Sequence, residues 1–226
     1  GPGVITRLWP DPGPLDNDGL AAAYETGDRS GRHLRMNFVT SVDGAVEVGG
    51  FSAGLFSCGL SREADLKVFG LLRMLCDALL VGAGTLRHEG YGPIRLDSYR
   101  RGWRRAHGLA EYPTLVVVSS ALDLAADNAA LAQAPVRPIV LTHAAAPTDR
   151  RAALEPVADV LAVGKHDVDL AEGLRRLAER GLRQVLCEGG PHLFGSLAAA
   201  DLVDEVCLSV SPLLAAPGAE RIIAGA

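Results

Sequence analysis

Two carboxylates stand where strands predicted from the sequence end. Asp43 follows the strand-like segment 35–42 and precedes Gly44, and Glu188 follows the apolar segment Gln184–Cys187. A carboxylate at the end of a buried strand can orient a polar substrate or exchange a proton with it. A strand built only for packing would favour valine or leucine in place of Glu188. For Asp43, the alternative is an ordinary Asp-Gly turn.

Paired glycines follow two of the predicted strands. Gly189 and Gly190 separate a strand from a helix, and Gly82 and Gly84 follow the apolar run Ala78–Val81. Glycine lets backbone N–H groups approach a ligand closely, and a helix N-terminus attracts anions. These turns are therefore candidate phosphate sites. The alternative is a tight turn in which glycine supplies only conformational freedom.

The Gly-x-Gly pair does not belong to a Rossmann fingerprint. Arg87 occupies the place of the third glycine, and no acidic strand end follows at the required distance. Thr85 and Arg87 can still donate hydrogen bonds to a phosphate. Within the arginine cluster at 95–105, Arg95 is the candidate for a substrate phosphate, because it is the member nearest to this turn in the sequence. The other arginines of residues 95–113 are typical of an irregular, solvated loop.

Apolar strands alternate with helical patterns along most of the chain. This alternation predicts an α/β fold with three layers, α/β/α, around a mostly parallel sheet, and ligands bind such sheets beyond the carboxyl ends of the strands. Residues 1–31 are predicted to form an irregular arm before one domain at 32–226. The predicted strands are 35–42, 78–81, 114–118, 138–141, 159–163, 184–187 and 206–210. The predicted helices are one capped by Ser61, one at 170–180 ending at Gly181, and one at 192–200.

Composition excludes several classes of function. The 226 residues carry a net charge of −5, which disfavours nucleic-acid binding, and no apolar run approaches the length of a membrane span. No signal peptide is visible, and no metal-ligand set or serine-hydrolase turn occurs. The four cysteines form no C-x-x-C pair, so we expect free thiols and a cytoplasmic location.

Six motifs occur in an order that is typical of one known family. They are Asn37-x-x-x-Ser41-x-Asp43-Gly44, 77–85 (DALLVGAGT), 116–119 (VVVS), 188–191 (EGGP), 202–205 (LVDE) and 211–214 (SPLL). Together they resemble the RibD C-terminal domain of riboflavin-biosynthesis reductases, over residues 34–215. The resemblance implies a dihydrofolate-reductase-like fold, a homodimer and an NADPH-dependent reductase. The implied reaction is that of 5-amino-6-(5-phosphoribosylamino)uracil reductase, with hydride transfer to the ribosyl C1′.

The same resemblance implies roles for individual residues. Asp43 and Glu188 would be the catalytic carboxylates, with Asn37 and Ser41 beside them at the substrate. Arg95 would neutralise the substrate phosphate, and Arg87 is a candidate for the 2′-phosphate of NADPH. The remaining residues assigned to the cofactor are Gly82, Gly84, Thr85, Ser119, Gly189, Gly190 and Pro191.

Departures from the family pattern leave the substrate open. The zinc deaminase signature is absent, a basic residue is common where Asn37 stands, and residues 88–93 lack the usual Asp-Pro pair. The substrate is therefore a pyrimidine ribosyl phosphate or a pteridine. A non-catalytic nucleotide-binding module is a third possibility, against which the two carboxylates argue. A glycine-rich loop is predicted at 49–59, and the strands that close this fold are expected beyond Ala226.

Overall fold

A computed structural model describes residues 4–47, 59–88 and 90–212. The strands are β1 Ile5–Arg7, β2 Gly13–Leu15, β3 His33–Ser41, β4 Val46–Glu47, β5 Ala78–Gly82, β6 Thr114–Val118, β7 Ile139–Thr142, β8 Asp159–Ala162, β9 Gln184–Cys187 and β10 Glu205–Ser211. The helices are α1 Asn17–Tyr24, α2 Gly59–Leu75, α3 Ala83–His88, α4 Ser98–Ala106, α5 Ala129–Ala132, α6 Thr148–Leu154, α7 Leu170–Glu179 and α8 Pro191–Ala199.

Seven parallel strands form the central sheet. Their order is β10-β3-β9-β5-β6-β7-β8, and β4 folds back antiparallel to β3. All seven parallel strands therefore end at the same edge, which we call the carboxyl edge. Because β3, β9, β5 and β6 are neighbours in the sheet, the segments that follow them in the sequence are brought together at this edge.

Two apolar cores cover the two faces of the sheet. Along β5, Leu79 and Val81 face the core that includes Leu72 of α2. Ala78 and Leu80 face the opposite core, which contains Phe194 of α8. This alternation explains why the sequences of inner strands such as β5 are continuously apolar, since these strands are buried on both sides. The predicted three-layer α/β architecture is confirmed.

The segment 1–31, predicted to be irregular, contains regular structure in its described part. β1 and β2 form an antiparallel pair, and the Asp16 side chain caps α1 by accepting a hydrogen bond from the Gly19 N–H. Leu20 and Ala21 of α1 pack in a third apolar cluster with Met74 of α2. The helix has only eight residues, too few for a clear apolar periodicity, and this is why the sequence pattern missed it.

The basic stretch 95–113 is likewise not irregular, because it contains α4. Asp97 caps this helix through the Arg100 N–H. Arg104 is 1% exposed, and its guanidinium donates to the carbonyl oxygens of Met74, Cys76 and Ala110. Arginines in a run suggest a solvated surface, but here backbone carbonyls satisfy the charged group in the interior.

The other predicted elements agree with the structure to within one or two residues. β6 and β9 have the predicted bounds, α2 begins at Gly59 rather than after Ser61, and Gly181 has the positive φ of a helix C-terminus. Apart from Gly59, the glycine-rich loop at 49–59 lies outside the described residues, as does the segment after 212. In the described part, no helix is long and apolar enough to cross a bilayer.

Candidate functional site

The turn between β3 and β4 holds the first predicted carboxylate. The Ser41 N–H bonds to the Ala45 carbonyl, and Gly44 takes a positive φ of 84° to complete the turn. The Ser41 hydroxyl accepts from the Ala45 N–H and donates to Asp43 Oδ1. Ser41 is buried and Asp43 is exposed. The hydroxyl therefore orients a carboxylate that solvent and a ligand can reach.

The two glycine pairs meet directly at the carboxyl edge. The Gly82 N–H donates to the Gly189 carbonyl at 2.7 Å, and the Gly189–Gly190 peptide bond is cis. A Cβ on Gly82 would lie 3.6 Å from the Gly190 nitrogen, whereas a Cβ on Gly190 would lie 2.5 Å from Thr85 Oγ1. Position 190 therefore tolerates only glycine without movement. We call residues Gly189 and Gly190 the glycine turn.

The glycine turn leads straight into α8. Gly190 is the N-cap residue, no side chain caps the helix, and Pro191 occupies its first turn. The first N–H groups of a helix have no intrahelical partner, and the helix dipole makes this end positive. The nine-residue α8 therefore presents backbone donors at the carboxyl edge, which is a suitable geometry for a phosphate.

Glu188 lies in a different environment from the one predicted. The sequence predicts a carboxylate that faces substrate, but Glu188 is 0% exposed and its side chain meets α2. Arg73 Nε lies 2.8 Å from Oε2 and Arg73 Nη2 lies 2.7 Å from Oε1. The Tyr91 hydroxyl donates to the same Oε1 at 2.8 Å. Both carboxylate oxygens are thus engaged by protein donors.

Arg73 is held by aromatic rings as well as by Glu188. Its guanidinium carbon lies 4.5 Å from the ring centre of Phe69 and 5.7 Å from that of Tyr91, which are cation–π distances. Burial alone would lower the pKa of Arg73, but the Glu188 carboxylate more than reverses this, and the pKa is raised. The guanidinium is therefore charged inside the protein.

Arg73 and Tyr91 are not among the site residues predicted from the sequence. The sequence did contain a signal for Arg73, because it is the single charged residue in the apolar stretch 68–76, which covers the end of α2 and the residue after it. A charged residue in that apolar stretch is as unusual as Glu188 directly after an apolar strand. The two anomalies are 115 residues apart in sequence, and nothing local indicates that they compensate each other.

Three further predicted residues lie on or after β3, β5 and β6. Asn37 is buried within β3, and the register that pairs Met36 with Cys187 places it beside Glu188. Ser119 follows β6 and is buried at the carboxyl edge. Arg87 bonds to the carbonyl of Asp123, on the loop that follows Ser119.

Arg95, the predicted ligand of a substrate phosphate, lies at the protein surface. It is exposed in the segment between α3 and α4, flanked by buried Ile94 and Leu96. In the part of the chain that the structure describes, no carboxylate forms an ion pair with it. Among those same residues, no group of three or more His, Cys, Asp or Glu side chains could hold a metal ion.

The sequence is similar to those of several reductases. A protein of Archaeoglobus fulgidus named 2,5-diamino-6-ribosylamino-4(3H)-pyrimidinone 5′-phosphate reductase is 29% identical over 181 residues, 80% of each chain. The protein of the same name from Methanothermobacter thermautotrophicus is 29% identical over 184 residues, 80% of this chain and 78% of that one.

Solved structures share the fold. A pyrimidine reductase-like protein of Corynebacterium diphtheriae aligns with a TM-score of 0.71 at 23% identity, covering 86% of this chain and 80% of that one. The Saccharomyces cerevisiae riboflavin biosynthesis reductase aligns with a TM-score of 0.63 at 16% identity, covering 90% and 83%. The dihydrofolate-reductase-like fold is thus confirmed. The sequence profile of the RibD C-terminal domain matches residues 32–225, and the chain belongs to this family.

Proposed function

We propose that this protein is an NADPH-dependent reductase that acts on a pyrimidine bearing a ribosylamino 5′-phosphate group. The observation that carries the proposal is the meeting of Gly82, Gly189 and Gly190 at the uncapped start of α8. Reductases of this family use a nicotinamide cofactor, and the names of the relatives supply the substrate class.

The residues at the carboxyl edge fit a dinucleotide. Gly189 and Gly190 precede the helix, so neither residue has a side chain that would obstruct a diphosphate. A Cβ at Gly190 would also have no room beside Thr85. Backbone N–H groups at the start of α8 would hold the diphosphate. Gly84 and Ser119, which follow the two adjacent strands β5 and β6, would line the cofactor on the side away from β3.

Arg87 supports the choice of NADPH over NADH. Its guanidinium lies against the loop that follows Ser119, through the carbonyl of Asp123, and its side chain is 40% exposed. We propose that the adenosine of the cofactor lies beside this loop, where the Arg87 cation would favour a cofactor that carries a 2′-phosphate. The Asp123 carboxylate, 3.8 Å from the guanidinium, is a competing partner.

When bound, NADPH supplies a hydride to C1′ of the ring-opened ribosyl imine, and the imine nitrogen takes up a proton to give the ribitylamine. Asp43 is the group that we propose for orienting this substrate and managing that proton, since it is exposed and fixed by Ser41. Asn37 contributes a buried amide on β3, the strand that precedes the turn with Asp43. Arg95 is exposed for a substrate phosphate, to which a guanidinium can bind bidentately.

The experiment is a spectrophotometric assay of NADPH oxidation at 340 nm. We expect oxidation with 2,5-diamino-6-ribosylamino-4(3H)-pyrimidinone 5′-phosphate, and mass spectrometry of the product should show a gain of two hydrogens. Parallel reactions contain dihydrofolate or NADH. Faster turnover of dihydrofolate would assign the protein to pteridine reduction instead. NADPH binding without oxidation of either substrate would identify a nucleotide-binding module and refute the proposal.

We also propose a homodimer and a cytoplasmic location. Val206, Leu208 and Val210 alternate along the edge strand β10 and are 49–60% exposed, and an apolar row of this kind is typical of an interface. Free Cys76 and Cys187 are compatible with a reducing compartment. Sedimentation equilibrium tests the dimer, and Leu208→Asp should produce monomers.

A further inference from the structure

The ion pair between Arg73 and Glu188 is poorly explained by stability alone. Both side chains are buried, at 9% and 0% exposure. Removing two charges from water is costly, and well-packed apolar residues often stabilise a core as well or better. The pair also requires Tyr91 to supply a third donor. A buried charged cluster that is costly for stability is expected to have a function that depends on its position.

The Arg73–Glu188 ion pair adjoins the glycine turn. Glu188 is the residue before Gly189, and its own N–H donates to the Leu80 carbonyl at 3.0 Å. The backbone of the turn is therefore attached to β5 on one side, through Leu80 and Gly82. The Glu188 side chain attaches it on the other side, to Arg73 of α2 and to Tyr91 of the segment after α3.

Glycine residues cannot hold themselves in place. Gly189 and Gly190 have no side chains through which they can be held, and glycine has the widest range of backbone conformations. A phosphate site made of backbone N–H groups works only if those groups are held in one arrangement before the ligand arrives. Glu188 is the residue directly before the turn, and its side chain can restrain the turn through its own bonds.

We infer that Arg73 and Tyr91 are positioning residues, which act through Glu188 to hold the glycine turn in the arrangement that binds the cofactor diphosphate. Glu188 is accordingly an anchor and takes no part in proton transfer, for which Asp43 is the exposed carboxylate. The inference rests on the proposed function, since it concerns the same cofactor. It concerns only residues of this chain, and NADPH binding can test it without any turnover.

The experiment exchanges the ion pair for a neutral pair of similar shape. The dissociation constant for NADPH is measured by fluorescence, well below the unfolding temperature, for Arg73→Gln, Glu188→Gln and the double variant. Each single variant leaves one buried charge unpaired and should weaken binding by about tenfold or more. The double variant restores an amide–amide contact, and its affinity should return to within about threefold of the wild type.

A matched control separates positioning from loss of stability. Arg104 is also buried, but its hydrogen bonds go to the backbone carbonyls of Met74, Cys76 and Ala110 and not to Glu188. Arg104→Lys should lower the unfolding temperature and leave the NADPH dissociation constant unchanged. Tyr91→Phe removes one hydroxyl with little risk to folding, and it should weaken NADPH binding by about two- to fivefold.

Each contrary result overturns the inference in a distinct way. A double variant that binds as weakly as Glu188→Gln would mean that Glu188 contacts the ligand itself. Wild-type affinity in Tyr91→Phe would mean that the turn does not depend on the cluster. If the double variant fails to fold, the Tyr91→Phe measurement alone decides the question. Failure of the wild-type protein to bind NADPH would remove the proposed cofactor, and the inference with it. Wild-type binding with unchanged variants would refute the inference alone.

Discussion

Replacing Gly190 with alanine is the perturbation for which the structure gives the clearest magnitude. Gly190 has φ −90° and ψ −163°, an extended conformation that any residue adopts, so the backbone itself is not strained by a side chain. The new Cβ would lie 2.5 Å from Thr85 Oγ1, and the next atom, Thr85 Cβ, is at 3.9 Å. The whole penalty therefore comes from one hydroxyl oxygen.

The expected cost follows from three contributions. Overpacking of this kind costs about 1–3 kcal/mol. Alanine reduces the entropy of the unfolded chain, which stabilises by about 0.4–1 kcal/mol. Alanine is also a poorer N-cap than glycine, by roughly 0.5–1 kcal/mol, which cancels that gain. Gly190→Ala should thus lower the free energy of unfolding by about 1–3 kcal/mol, the overpacking contribution alone.

Removal of the hydroxyl tests the cause. In a Thr85→Ala background the nearest contact is gone, so adding Gly190→Ala should change the free energy of unfolding by no more than about 0.5 kcal/mol. Urea unfolding of the ligand-free protein, followed by circular dichroism, measures all four proteins of the cycle. Gly102→Ala is the control, because a Cβ there meets nothing within 4 Å, and it should be neutral or stabilising by up to about 1 kcal/mol. An equal cost of Gly190→Ala in both backgrounds would refute the reasoning.

Three further predictions concern carboxylates and thiols. Asp43→Ala should abolish turnover but leave the NADPH dissociation constant nearly unchanged, because we propose that Asp43 contacts the substrate and not the cofactor; equal loss of both would place it at the cofactor. Burial raises the pKa of Asp65, against an opposing hydrogen bond from Ser209, so ionised Asp65 costs stability and wild-type stability rises as pH falls through the raised pKa. Asp65→Asn should therefore raise the urea midpoint at neutral pH, and the gain should vanish below about pH 4; a gain independent of pH would exclude this cause. Burial raises the pKa of Cys76 and of Cys187 to about 12, so iodoacetamide at pH 8 should label neither thiol in the native protein, and labelling detected by mass spectrometry without denaturant would contradict their burial.

Much of the carboxyl edge was predictable from local sequence. The continuously apolar segments at β5, β6 and β9 identify buried parallel strands, and the chemistry-bearing residues follow them directly in sequence. Parallel strands end at one edge, so Gly82 and Gly189 had to come near each other if their strands were neighbours. The turn at Asp43-Gly44 was predictable for the same local reason, since glycine there takes a positive φ.

The partners of buried charges were not predictable in the same way. Arg73 and Arg104 are both buried arginines in helices, yet one bonds the carboxylate of Glu188 and the other bonds backbone carbonyls. An arginine in a sequence indicates solvent exposure unless a specific partner exists, and that partner can lie anywhere along the chain. The helix around Arg104 was missed on this ground.

The sequence by itself determined the seven parallel strands, three of the helices that connect them and the position of the glycines at the strand ends. These follow from short-range patterns, namely apolar periodicity and the conformational freedom of glycine, whereas the family was indicated by six motifs in a characteristic order. Only the tertiary structure decided what the two carboxylates face. Asp43 lies exposed in a turn, whereas Glu188 points into the protein at Arg73. The physical reason is that the cost of burying a charge depends on which donors the fold brings within hydrogen-bond distance, and those donors come from residues 115 and 97 positions away.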